Sequence, residues 1–208
     1  MIEELLRERR SVRRFKPDPV PEALVQRLIE GAICAPSASN KQPWKFLLVE
    51  NRALIAQLAN AVRASTALVA RHIPEPSQPA FERYGDYFTR FEHAPLLIVP
   101  IYKPLTLLSN LTSNDLPAQE RSAIVQLEQD SGLIGTSLAL GHLLLVAHEL
   151  GLGASGMTGP LLARPELKRL LEVPPTWDIV ALVPVGFPAE VPVPTERKAA
   201  HLVTRWFR

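Results

Sequence analysis

The chain holds a single cysteine, Cys34, so no disulfide can form within it, and a reducing compartment suits it. Cys34 sits beside Ala32 and Ile33 on an apolar stretch, which predicts buried filler rather than a nucleophile. Its five histidines (His72, His93, His142, His148 and His201) are scattered, and no Cys or His pair has zinc spacing. There is no Walker loop, and neither Ser37 nor Ser155 lies in a recognisable nucleophile elbow. An excess of charge of one sign is also missing. Lys and Arg number 23 and Asp and Glu 21, a net +2, which gives no global case for nucleic acid or an anionic membrane. No secretory signal is visible, and Glu3, Glu4 and Glu8 are foreign to an acid-poor organelle presequence, so a cytoplasmic location is expected. The uncharged run from Ser131 to Ala147 is short for a bilayer span and contains Gly132, Gly135 and Gly141. It reads as a buried core helix.

One apparent fingerprint dissolves on inspection. Gly151-Leu152-Gly153-Ala154-Ser155-Gly156 spells G-x-G-x-x-G. A dinucleotide site needs a strand before that pattern and a helix after it. Here the longest helical stretch runs into it, so the glycines read as a helix stop and a tight turn.

What the chain does have is proline, 20 residues of it, and prolines punctuate the elements. A short helix is expected over 2–10, an extended link at Pro17, Pro19 and Pro21, and a helix from there to Ala35, where Pro36 stops it. Phe46–Val49 reads as a buried strand, and Asn51 as the cap of a helix reaching about Arg63. Residues 74–80 read as loop. Tyr84, Tyr87, Phe88 and Phe91 then form a helical stripe whose expected role is packing, with a substrate lid as the alternative. Leu96–Tyr102 is a strand, 104–118 a loop, and 118–150 a long helix. A short strand at 154–157, a helix from Pro165 to Glu172 and a strand over Ile179–Val185 complete the pattern. Val191–Pro194 should be extended but outside any central strand. At 208 residues with 47% apolar content, this is one domain, residues 1–208, of α+β or α/β type with helices covering a sheet.

Two segments carry chemistry. Arg7 to Lys16 holds six basic residues and one acidic one, a local +5 on a chain whose remainder is about −3. Within it Arg9, Arg10 and Arg13 surround the hydroxyl of Ser11, a set suited to phosphoryl oxygens. Some twenty residues on, Pro36-Ser37-Ala38-Ser39-Asn40-Lys41-Gln42-Pro43-Trp44 is a polar turn feeding a strand. The amide of Asn40 can read a heterocycle edge with one acceptor and two donors. Together they suggest a flat, phosphorylated cofactor held at two ends.

These motifs, in this order and followed by Gly151-Leu152-Gly153 and a basic pair at Arg197-Lys198, resemble the nitroreductase superfamily of FMN-dependent oxidoreductases. The resemblance runs from Arg9 to Lys198. It implies an α-β-α sandwich, a mostly antiparallel central sheet wrapped by helices, in an intertwined homodimer with FMN sites at the subunit interface. It places Arg9, Arg10, Ser11 and Arg13 on the phosphate and ribityl chain. Arg197, with Lys198, closes on the same phosphate. Pro36, Ser37 and Asn40 lie beside the isoalloxazine, and Met157, Thr158 and Gly159 match the segment whose backbone N–H approaches flavin N5. Thr158 replaces an acidic residue of some relatives, and His142 stands where many carry a polar amide pair.

The implied activity is electron transfer from NADH or NADPH, through flavin N5, to nitroaromatic, quinone or related small acceptors by a ping-pong mechanism. No side-chain acid or base is needed for the hydride step, so no catalytic protein residue is assigned. Within the same fold the alternatives are a flavin-consuming or dehalogenating enzyme, and outside enzymology a non-catalytic flavin-binding module. Neither nucleic acid nor membrane is an expected partner.

Overall fold

Alternation along one strand organises the molecule. The computed structural model describes residues 2–208. In it β2 (Leu96–Tyr102) is buried along its whole length. Leu97, Val99 and Ile101 point to one side, where they meet Ile55, Leu58 and Val62 of α3 (Arg52–Ala70), Leu167 of α7 (Arg164–Leu170), and Phe91. Leu96, Ile98 and Tyr102 point to the other, against Leu28 and Ala32 of α2 (Glu22–Ile33) and Leu143 and Ala147 of α6 (Ala118–Glu149). A period-two strand with both faces apolar dictates helices on both sides. The result is the expected α-β-α sandwich.

The sheet is antiparallel throughout its ladders. Its order is β1 (Trp44–Val49), β2, β5 (Val183–Gly186), β3 (Gly153–Ala154), and β4 (Asp178–Ile179) pairs with β2. The single strand expected over 179–185 is thus two short ones. Pro100 explains the gap. β2 pairs with β5 at residues 96–98 and with β4 at 101–102, and Pro100, which has no N–H to give, lies between them. Its carbonyl accepts instead from Val180 N–H at 3.0 Å.

Other boundaries shift for local reasons. The Asn51 side chain caps α3 as expected, accepting from the N–H of Ala53 and Leu54. The helix continues to Ala70, because nothing between Arg63 and Pro74 breaks it. Residues 74–80 are less of a loop than their prolines suggest. Glu75–Ser77 form a 3-10 turn, and α4 (Gln78–Gly85) begins with Pro79 in its first turn, where proline is tolerated. One helical turn, α5 (Leu108–Leu111), interrupts the 104–118 loop. The N-terminal helix α1 (Ile2–Glu8) ends two residues early. Gly151, at φ 72°, ends α6 before β3, as the helix-stop reading requires.

Cys34 departs from expectation. It is exposed at the end of α2, one residue past the last helical position, with Sγ donating to the Glu30 carbonyl at 3.3 Å. Ala32 and Ala35 take the buried positions, so Cys34 faces away. The 131–147 segment is also only partly core. Gly132, Gly135, Thr136, Ala139, Leu143 and Ala147 are buried, but Leu133, Ile134 and Leu138 are exposed. Both α3 and α6 are long and apolar enough to cross a membrane by length and composition, and both lie against the sheet here.

The aromatic stripe divides. Phe88 and Phe91 are buried, whereas Tyr84 and Tyr87 are exposed. The Phe88 ring lies over Gly159 so closely that a Cβ there would stand 2.2 Å from Cδ1. Gly159→Ala should therefore destabilise the protein by about 1–3 kcal/mol through overpacking, read from the denaturant midpoint. A midpoint unchanged from wild type would show that Phe88 is free to move.

Candidate active site

The arginine segment is stitched to the edge of the sheet. Val12 N–H donates to the Ala154 carbonyl at 3.1 Å, Ser11 bridges Ala154, and Lys16 N–H donates to Phe187 O at 2.8 Å. Gly153 is required for this approach, because a Cβ there would stand 2.6 Å from Val12 Cγ1. The side chains flanking Val12 therefore project from a fixed backbone.

Arg9, Arg10, Ser11, Arg13 and Arg197 all line one cavity of about 370 Å³. Lys198 is exposed and is not part of its wall. Residues that the sequence did not place at this site join the wall, Arg90 and Tyr87 among them. Arg90 stacks its guanidinium 3.9 Å from the Tyr87 ring centroid, and that of Arg13 lies 5.6 Å from the same ring. Tyr87 was legible only as one member of a stripe. The signal that could have found Arg90 is its spacing, i+3 from Tyr87 on the same helical stretch.

The cavity's electrostatics call for an anion. Arg9 has its pKa lowered, first by burial, then by the neighbouring charges of Arg197 and Arg10. Arg10 Nε is buried without a hydrogen-bond partner among the described residues, while its Nη1 donates to the carbonyls of Arg7 and Arg9. The one acid in the wall, Glu190, is engaged elsewhere. Its Oε1 accepts from the backbone N–H of Arg13 at 2.8 Å and of Arg14 at 3.1 Å. A phosphate monoester fits this donor set: several guanidinium N–H groups, a hydroxyl and one orphaned buried donor.

The flavin-side turn lies elsewhere in the chain's own surface. Pro36, Ser37 and Asn40 are not in the arginine cavity. Ser37 Oγ accepts from Gln42 N–H at 3.0 Å, and Asn40 Oδ1 from Gln42 Nε2 at 3.4 Å. Ser39, Asn40 and Gln42 adopt φ of 51°, 51° and 46°. Three left-handed residues without a glycine in so short a span are backbone strain of the kind that clusters at functional sites. α6 packs beside the turn at Gly135, where a Cβ would make ordinary contact with Ser37 and Pro43.

The third expected piece is divided by its hydrogen bonds. Met157 is buried and exchanges both backbone bonds with Leu182, at 2.9 and 3.0 Å, so its N–H is committed to the sheet. Thr158 and Gly159, at the head of a 3-10 turn, are left for an approach to a ligand. Thr158 opens onto a separate cavity of about 560 Å³ bordered by Leu133, Ser137 and Leu140 of α6 and by Arg164. Arg164 is itself paired with Asp178 at 2.6 Å. One chain thus brings together the residues expected at a phosphate, Lys198 excepted, and leaves the turn and the 158–159 segment as separate surfaces.

Known proteins share this fold and part of this sequence. The Nitroreductase family model matches residues 6–187. An NADH dehydrogenase of Thermus thermophilus is 31% identical over 207 residues, 96% of this chain and 92% of that protein. A 5,6-dimethylbenzimidazole synthase of Rhodobacter capsulatus is 33% identical over 192 residues, 90% of this chain and 83% of that protein. A BluB-like flavoprotein from Clostridium difficile superposes with a TM-score of 0.82 at 20% identity, covering 100% of this chain and 99% of the other. An iodotyrosine deiodinase bound to FMN and 3-iodo-L-tyrosine superposes at 0.75 with 24% identity, covering 100% of both. With a family match over residues 6–187 and a relative 31% identical over 96% of the chain, this chain belongs to the nitroreductase family and is an oxidoreductase.

Proposed function

We propose that the chain is an FMN-dependent oxidoreductase that takes electrons from NADH or NADPH and reduces a small nitroaromatic, quinone or related acceptor. The observation that carries the reading is the arginine cavity with its unpartnered buried Arg10 Nε, built for one terminal phosphate. FMN, when bound, supplies the two-electron chemistry that no side chain here offers. Arg9, Arg10, Arg13 and Arg197 hold the phosphate, and Ser11 adds a hydroxyl donor. Asn40 offers an amide to the pyrimidine edge, and the N–H groups of Thr158 and Gly159 approach N5. The purified protein should be yellow and release FMN, not FAD, on denaturation. NAD(P)H should bleach it without acceptor, and double-reciprocal plots should be parallel. A colourless protein that ignores added FMN would overturn the reading.

The residues of the cradle should differ in weight. Arg13→Ala removes a charged hydrogen bond worth roughly 1.5–3 kcal/mol, a loss of about tenfold to a hundredfold in FMN affinity. Arg90→Ala, at a half-exposed position, should cost up to about fivefold. FMN titration of the two variants checks the order, and equal affinity for both would remove Arg13 from the phosphate.

The site is completed, in this reading, by a second copy of the chain. The separated turn, the exposed Leu133, Ile134 and Leu138 on α6, and the exposed Val191, Val193, Trp206 and Phe207 of the tail all favour it. A partner that covers these faces would also bring its 36–40 turn to the cradle. Light scattering of the flavin-loaded protein should give twice the 23.0 kDa chain mass. A flavin-bound monomer at micromolar concentration would sink the shared site.

A further inference from the structure

Beyond the flavin-side turn, the chain opens a cavity of about 450 Å³ between residues 41–43 and the loop after β2, with Trp177 as an apolar wall. Lys41 and Lys103 line it, and no aspartate or glutamate does. Lys45 brings a third cation near, its Nζ 4.8 Å from the Trp177 ring centroid.

The walls of this cavity are held in place. Lys103 N–H donates to the Pro43 carbonyl at 2.9 Å. The Lys103 carbonyl lies against α6 at Gly132, where a Cβ would stand 2.5 Å from it. On the far rim, Leu105 N–H donates to the Glu128 carbonyl at 3.1 Å, and Ser109 N–H to Glu128 Oε1 at 3.2 Å. Glu128 is a buried carboxylate. Burial opposes its ionisation, yet hydrogen bonds from Ser109 and from the Leu108 and Leu107 backbone hold its pKa below the ordinary value. The loop's own N–H groups thus favour its ionised form. It anchors the loop and is not itself in the cavity wall.

We propose that this cavity is the acceptor pocket and that it selects flat acceptors bearing an anionic group, such as an aromatic carboxylate. The ring lies along Trp177, and the acid group faces Lys41 and Lys103. The proposal rests on the flavin reading for its location, because Gln42, in the cavity wall, bonds both Ser37 and Asn40 of the flavin-side turn. Two lysines suit a carboxylate as hydrated point charges that need no fixed fork geometry. Each exposed pair is worth little alone, so selectivity requires both.

The test uses 4-nitrobenzoate and its uncharged methyl ester as probes of the flavin-loaded, full-length protein. In equilibrium dialysis at low salt the carboxylate should bind at least about fivefold more tightly than the ester. That advantage should vanish at high salt and in the Lys41→Glu, Lys103→Glu double variant. The salt arm needs no variant, so a misfolded double variant leaves the proposal exposed to refutation. Equal binding of acid and ester to wild type, or a preference that survives salt, overturns it. FMN content is measured on the same samples. FMN present with no preference for the acid defeats the pocket alone, and a preference for the acid without FMN defeats the flavin reading alone.

Discussion

Repulsion of Arg9 by Arg10 and Arg197, in a cavity that Arg13 and Arg90 also line, is the constraint under which the arginine segment is held. Arg9, Arg10, Arg13, Arg90 and Arg197 share one cavity, and the only carboxylate in its wall already serves backbone N–H groups. Burial and the charges of Arg197 and Arg10 lower the pKa of Arg9, yet an arginine starts so high that it stays charged at neutral pH. Like charges in a partly dry space persist only where the backbone is fixed by other means. Here the means are visible. Val12 is locked between Gly153 and the Ala154 carbonyl, Lys16 is bonded to Phe187, and Ala189 N–H returns to the Arg14 carbonyl at 3.0 Å. The edge formed by β3 and β5 holds the backbone of the cluster in place, and in the proposed reading a bound phosphate would relieve the repulsion within it.

Local signals made much of this legible in the sequence, and long-range contacts hid the rest. The sandwich followed from buried strands at 46–49 and 96–102 set among helical stretches, because periodicity is local. The break at 180–182 did not, because it depends on which edge of Pro100 faces which partner. Arg9, Arg10, Ser11 and Arg13 could be grouped because they are neighbours in the chain. Arg197 was joined to them only through resemblance to a family, and Arg90 was not joined at all, being seventy-seven positions from Arg13 and brought near by the fold. Met157 shows the reverse error of resolution. Its segment resembles the flavin-facing one, but the bridge to Leu182 that commits its N–H belongs to tertiary pairing.

Glycine placement tells the same story at finer scale. Gly153, Gly159 and Gly132 each give way to a particular neighbour: Val12, the Phe88 ring and the Lys103 carbonyl. Among the glycines only Gly151 has a left-handed backbone, which glycine adopts without strain. A sequence shows a glycine but not what presses against it, so Gly-Leu-Gly reads as a turn signal while the more demanding constraint, close approach of the arginine segment, goes unseen.

In the proposed reading, the tail links cofactor and subunit contact through one stretch of chain. Glu190 pins it beneath Arg13 and Arg14, Arg197 returns to the cavity, and Trp206 and Phe207 lie exposed beyond. Closing Arg197 over a phosphate must fix the backbone between Glu190 and Arg197, which has no ladder of its own and loses roughly 1–2 kcal/mol of entropy per residue when ordered. If a second copy covers the exposed aromatic residues, part of that cost is already met before the cofactor arrives. By linkage the converse holds with equal strength, and a phosphate that orders the tail also favours its docking on the partner. In that arrangement the intertwined subunits and the filled cradle are one equilibrium seen from two sites.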